Sequence, residues 1–112
     1  MSRYIPERGD LIVVSFDPQA GHEQAGRRPA LVLSSRTFNR GTNLMCCCPI
    51  TSTQRRTLLH VPVPPETGLT GFVMCEQARA LDYRIRRAKK VAEAPSYLVR
   101  DVQAVLVGSV MR

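Results

Sequence analysis

Apolar and polar positions along this chain fall into short runs separated by turn residues, and only the last stretch carries helical spacing. Residues 10–16, DLIVVSF, form a β-branched run between Gly9 and the Asp17-Pro18 pair and predict a strand entering the core. The ten residues QAGHEQAGRR that follow Pro18 are rich in Gly, Ala and polar groups, and predict a long loop. After it, Pro29 leads into the continuous apolar run 30–33. Beyond the connecting stretch SSRTFNRGTN, residues 44–50 predict a third strand that stops near Pro49. Residues 58–63 alternate well enough for a fourth, and Pro62, Pro64 and Pro65 confine it to a sheet edge because proline cannot donate to the ladder. Residues 72–81, after Gly68 and Gly71, predict a fifth strand through FVMCEQ that bends onward into ARAL. Pro95-Ser96 offers a helix start. Leu98, Val102, Val105, Leu106 and Ser109 then fall on one mostly apolar stripe that ends near Gly108, so a terminal helix should pack onto the sheet. Five or six short strands predict a small antiparallel barrel or sandwich.

Length and composition narrow this further. A chain of 112 residues suits one domain spanning 1–112, and its 44% apolar content is enough to fold. No apolar run approaches the roughly 20 residues of a membrane span, and the N-terminus lacks the apolar core of a signal peptide, so a cytoplasmic protein is expected. Cys46, Cys47 and Cys48 are consecutive and Cys75 stands alone, a spacing that suggests neither paired zinc ligation nor a disulfide framework. On a strand, Cys47 points one way and its two neighbours the other, which fits small buried apolar residues in a reducing compartment.

Charge points to a partner. Lys and Arg number 16 against 9 Asp and Glu, a net charge of +7, and all the cations except Lys89 and Lys90 are Arg. Guanidinium is planar, donates bidentately and suits phosphate, so a polyanion is a credible ligand. Six cations lie between positions 79 and 90 with Asp82 as the one acid, a run that also reads as a solvated face. With three Phe, three Tyr and no Trp, a broad stacking platform is not expected, and grooves between loops are the better candidate.

The string RYIPERGDLIVVSFDPQAGHEQAGRRPALVLSS resembles the MazF/PemK-like toxin endoribonucleases, in which GDL opens the first strand and D-P-x-x-G-x-E-Q-x-G-x-R-P forms the next loop. The likeness continues through Phe38-Asn39, through Pro49-Ile50-Thr51-Ser52 and through Glu76-Gln77. The resemblance implies an SH3-like, mainly β barrel of antiparallel strands with a C-terminal helix. It further implies a homodimer, sequence-selective cleavage of single-stranded RNA without metal or other cofactor, and neutralisation by a cognate antitoxin, which would be acidic and partly disordered. Arg28 and Thr51 match the family's catalytic arginine and threonine. Arg27, Ile50 and Val14 depart from the pattern around them and bear on substrate preference.

Metal-free cleavage needs attack by the RNA's own 2′-hydroxyl on the adjacent phosphorus, giving a 2′,3′-cyclic phosphate and a free 5′-hydroxyl. Arg28 would stabilise the charge on the phosphorane and Thr51 would add a hydroxyl hydrogen bond. Arginine, with a pKa above about 12, is a poor proton acceptor, so Glu23 is the preferred one, ahead of His22. His22, Gln24, Arg27, Asn39, Arg55, Gln77 and Arg84 are the candidate RNA contacts, while His60 is expected to be structural or exposed. Two other readings remain on the same barrel: a CcdB-like toxin that binds DNA gyrase without catalysis, and a catalytically silent RNA-binding relative.

Overall fold

A computed structural model describes residues 3–16, 26–55 and 57–111. Seven antiparallel strands form the framework: β1 (Asp10–Ser15), β2 (Arg27–Val32), β3 (Leu44–Thr51), β4 (His60–Pro62), β5 (Phe72–Met74), β6 (Arg79–Asp82) and β7 (Lys89–Glu93). Their order is β4-β5-β3-β2-β1-β7, with β6 also paired to β3. β3 is the pivot. One edge pairs with β2, while the other is shared between β6, along Leu44 to Cys47, and β5, at Ile50 and Thr51. A single strand serving three partners in this way curls the sheet into a small barrel.

Alternation of side chains divides the interior in two. Leu11, Leu31, Cys48, Ile50 and Val73 face helix α2 (Ser96–Val105), whose Leu98, Val99 and Val102 close that core. Ile12, Val14, Ala30, Val32, Met45 and Cys47 face the other way, under Leu81 and Tyr83, with Tyr4, Ile5 and Phe16 packed against them. Cys47 and Cys48 thus enter opposite cores, as strand alternation predicts, and all four thiols are free. Burial pushes the Cys47 thiol up to about 12 and Cys75 to about 11, which removes their nucleophilic character near neutral pH.

The structure corrects several expectations. The stretch expected only to connect contains helix α1 (Arg36–Thr42), N-capped by Ser35, which accepts from Phe38 N–H, and closed by Asn43 in the left-handed region at φ 61°. The expected fifth strand is two strands divided by a 3-10 turn, Cys75–Gln77, which moves the chain from the end of β3 to its beginning. The cationic run supplies a seventh strand, β7, on the outer edge of β1. β4 does lie at the sheet edge, pairing with β5. Gly108 does not stop the last helix, which continues as a π turn over Leu106–Val110.

Candidate active site

Two strands position the candidate catalytic pair. Ala30 lies opposite Pro49, Leu31 opposite Cys48 and Val32 opposite Cys47; continuing that register two residues brings Arg28 level with Thr51. By alternation Arg28 shares a face with Ala30 and Val32, and Thr51 shares that same face with Met45 and Cys47. Both side chains therefore emerge where this core ends. They line one cleft of about 390 Å³, with hydroxyls from Ser52, Thr53 and Thr70 and apolar walls from Pro29 and Ile50.

Local chemistry fixes each member. Pro29 restricts the backbone of Arg28 to extended geometry, and the Arg28 side chain is exposed, donating no hydrogen bond to any of the described residues. Thr51 Oγ1 accepts from the Thr53 N–H at 3.1 Å, so the hydroxyl's own hydrogen can be given to a ligand oxygen. Behind Thr51 stands Gly71 at φ 137°, where a Cβ would lie 2.5 Å from the Thr51 carbonyl oxygen and 2.9 Å from Ile50 Cγ2. Glycine alone lets β5 approach Thr51 this closely. A guanidinium and an alcohol at the mouth of one cleft can together hold a phosphate and stabilise added charge on it.

The other candidates separate. Asn39 was expected to contact a base, but it is fully buried in α1: its Nδ2 donates to the carbonyls of Pro6 (2.8 Å) and Ser34 (3.2 Å), and its Oδ1 accepts from Ser34 Oγ. Every polar atom of that side chain is used, so it joins the N-terminal segment to the barrel rather than reaching a ligand. Arg27 is likewise turned to structure, donating to the carbonyls of Arg87 (2.9 Å) and Val13 (3.4 Å). Gln77 is exposed at the end of the 3-10 turn, and Arg84 lines a different cavity, with Tyr4 and Tyr83. Glu23, His22 and Gln24 lie outside the described residues.

Arg55 belongs to a neighbouring cavity of about 490 Å³, reached along the same β3–β4 connection that carries Ser52 and Thr53. His60, set aside by the sequence reading, also lines it. Its side chain is only 3% exposed, its Nε2 lies 3.0 Å from Glu76 Oε2, and its Nδ1 has no partner among the described residues. Burial alone would raise the Glu76 carboxyl, but the His60 hydrogen bond and the nearby His60 and Arg55 charges outweigh it and hold the carboxyl below its ordinary value. No spacing in the sequence marks the His60–Glu76 pair, because the two residues meet only through the β4–β5 pairing. Ser52, Thr53 and Thr70 were also missed, since short hydroxyl side chains in loops carry no distinguishing pattern.

Comparison with known proteins supplies the family. The family of PemK-like, MazF-like toxins of type II toxin–antitoxin systems matches residues 7–109. The endoribonuclease toxin MazF of Escherichia coli strain K12 is 37% identical over 111 residues, covering 96% of this chain and 99% of that protein. A crystal structure of MazF from Deinococcus radiodurans superposes with a TM-score of 0.87 at 43% identity, over 98% of this chain and 100% of that one. A MazE–MazF complex from the same organism gives 0.84 at 38% identity, over 97% of each chain. With the barrel and these likenesses together, the chain belongs to the PemK-like, MazF-like family and is an endoribonuclease toxin of a type II toxin–antitoxin system.

Proposed function

We propose that the Arg28–Thr51 cleft cuts single-stranded RNA at preferred sequences by attack of the substrate's 2′-hydroxyl on the adjacent phosphorus, without metal. The observation that carries this reading is the meeting of Arg28 and Thr51 at one cleft mouth. The guanidinium binds the non-bridging phosphate oxygens and strengthens its hold as charge builds on the phosphorane. Thr51 donates a second hydrogen bond to the same group. The bond from the 2′ oxygen to phosphorus forms as the bond to the 5′ oxygen breaks; the 2′ proton is lost and the 5′ oxygen gains one, leaving a 2′,3′-cyclic phosphate and a 5′-hydroxyl. Glu23, in the sequence that precedes β2, is the proposed acceptor of the 2′ proton. Arg55 and Gln77 serve as contacts for flanking nucleotides, together with His22 and Gln24.

The protein acts in the cytoplasm as a homodimer, and a cognate antitoxin with an acidic, partly disordered segment neutralises it by covering the cationic surface. The existence of a MazE–MazF complex for a similar protein supports such a partner. The test is direct. Purified protein cuts a long RNA at a short recurrent sequence in EDTA, and the products carry cyclic phosphate and 5′-hydroxyl ends. Replacing the 2′-hydroxyl at one cut site with hydrogen abolishes cutting there. Arg28→Ala lowers the rate by roughly 10²–10³-fold, the loss expected for one charge-stabilising donor, while the melting temperature holds. Cleavage that survives 2′-deoxy substitution, or Arg28→Ala with full activity, overturns the mechanism.

A further inference from the structure

Phe72 lies half-buried on β5 and packs into neither core. The other aromatic residues are placed differently. Tyr4, Phe16 and Tyr83 belong to the core that holds Met45 and Cys47, Phe38 stands on α1, and the Tyr97 hydroxyl of α2 donates to Glu66. A phenyl ring outside both cores adds less to stability than a buried one, so its surroundings are the guide to its use.

Strand register decides what the ring adjoins. Thr51 pairs with Phe72, and Phe72 with Pro62, so the three residues form one row across β3, β5 and β4. Residues directly opposite in an antiparallel pair share a face, with Cβ atoms about 4.5–5.5 Å apart. The next pair along, Ile50 and Val73, lies in the core against α2, so Thr51 and Phe72 both point the other way. Phe72 is thus the cross-strand neighbour of the hydroxyl proposed to hold the scissile phosphate. It also lines the cavity of about 490 Å³, together with Pro62 and His60 of β4 and with Gln54 and Arg55 from the connection that leaves the cleft. His60, fixed 3.0 Å from the Glu76 carboxylate, stiffens one wall of that cavity.

We infer that Phe72 seats a nucleobase of the substrate: the base of a nucleotide adjoining the cut lies against its ring, and Gln54 and Arg55 meet the edge of that base. The inference rests on the RNA-cleaving function proposed above and adds to it the residue that positions a neighbouring base. In single-stranded RNA each base hangs from a sugar beside a phosphate, so a phosphate held at Thr51 brings one of its two flanking bases to the adjoining cavity. Any base gains from stacking on an aromatic face, while amide and guanidinium donors read the acceptors on its edge. One ring in a groove is also what a chain without Trp can offer in place of a broad platform.

The test uses the full chain with Phe72→Leu, which keeps apolar bulk without a π face, and Phe72→Tyr, which keeps the ring; thermal melts establish that both are folded. Single-stranded RNA spanning one mapped cut site, made uncleavable by a 2′-deoxy nucleotide there, carries one abasic nucleotide at each position in turn. In wild type, loss of the base at one position adjoining the cut should weaken binding roughly 5- to 150-fold, the worth of one base–aromatic stack. Phe72→Leu should remove most of that penalty and leave those at other positions intact, and Phe72→Tyr should retain it. The log–log salt slope of binding should match wild type in both variants, because no phosphate contact is lost. A scan in which Phe72→Leu removes no position-specific penalty overturns the inference, as does a folded Phe72→Leu variant that loses affinity equally for every RNA in the set. Should wild type leave RNA uncut, the cleavage reading fails, and the same scan on an RNA that it binds still decides whether Phe72 takes a base; absence of RNA binding overturns both.

Discussion

Replacing Gly71 with alanine should uncouple the fold from the chemistry, because this glycine is the spacer between β5 and the residue proposed to hold the scissile phosphate. A Cβ at position 71 would meet the Thr51 carbonyl oxygen at 2.5 Å and Ile50 Cγ2 at 2.9 Å. An unstrained carbon–oxygen approach is about 3.3–3.6 Å, so the end of β3 must retreat by close to 1 Å. The backbone at φ 137° adds strain of order 1–3 kcal/mol for a residue with a side chain. Weakening the Phe72–Thr51 pairing costs about 1 kcal/mol more. A destabilisation of about 2–4 kcal/mol follows, which lowers the melting temperature of a domain this size by about 8–17 °C. A 1 Å displacement of a catalytic group can cost on the order of 10²-fold in rate, so kcat should fall by about that factor at temperatures where the variant is fully folded. Gly68→Ala is the control: its φ is also positive, at 82°, but a Cβ there meets nothing within 4 Å. It should pay about 1–2 kcal/mol of strain and keep its activity. Thermal melts and single-turnover cleavage of one RNA provide both readings. Equal activity per folded molecule in the two variants would refute the claim that Gly71 places Thr51.

Other consequences follow from the described contacts. Tyr4→Phe removes a hydrogen bond to Asp10, which is 3% exposed, and should cost about 1–2 kcal/mol in denaturant titrations. Burial, then Asp10, holds the Tyr4 phenol well above its ordinary value of 10.0. The native state therefore keeps that proton longer than the unfolded chain, so stability should decline as pH rises past 10.0, and Tyr4→Phe should lessen the decline. A thiol reagent at mildly alkaline pH should modify Cys46, the one half-buried cysteine, and reach Cys47, Cys48 and Cys75 only after unfolding; rapid native modification of all four would contradict the packing. Gly41 lies within α1 with open space around it, so Gly41→Ala should raise stability by about 0.5–1 kcal/mol, read from the shift in denaturation midpoint.

The elements that could be read from sequence are those whose burial is uniform along the segment. β1, β2 and β3 are sheet-interior strands, and their continuous apolar runs announce them; α2 shows itself because Leu98 and Val102, with Leu106 in the π turn that continues it, keep one face inward over a little more than two turns. Elements set by distant contacts stayed hidden. α1 buries one residue, the polar Asn39, so it has no apolar stripe to see. β7 is an edge strand whose exposed KKVAE pattern satisfies solvent as much as sheet. The break between β5 and β6 exists because β3 offers them different segments, which no local signal in FVMCEQARAL records. The site divides in the same way. Arg28 and Thr51 stand out through the family resemblance, and the β2–β3 register supplies the physical reason they meet. Arg27, adjacent in sequence and identical in type, looks equally suited to RNA, but the carbonyls of Val13 and of Arg87, the latter 60 positions away, claim its guanidinium.

That contrast bears on how a net charge of +7 is put to use. Arg8, Arg27 and Arg86 each donate to backbone carbonyls, of Leu33, of Val13 and Arg87, and of Ser15 and Phe16, where they anchor loops. Arg36 pairs with Glu7, Lys90 with Asp10 and Glu93, and Arg79 lies 5.5 Å from the Phe16 ring centroid. A carbonyl satisfies a guanidinium's donors but does not neutralise its charge. The anchoring arginines therefore still contribute to the positive field that draws in a polyanion, although their hydrogen bonds are already committed. Attraction and recognition would thereby fall to different residues of the same type: the whole set raises the local concentration of RNA, and Arg28, whose donors meet no described acceptor, is the one proposed to hold the scissile phosphate.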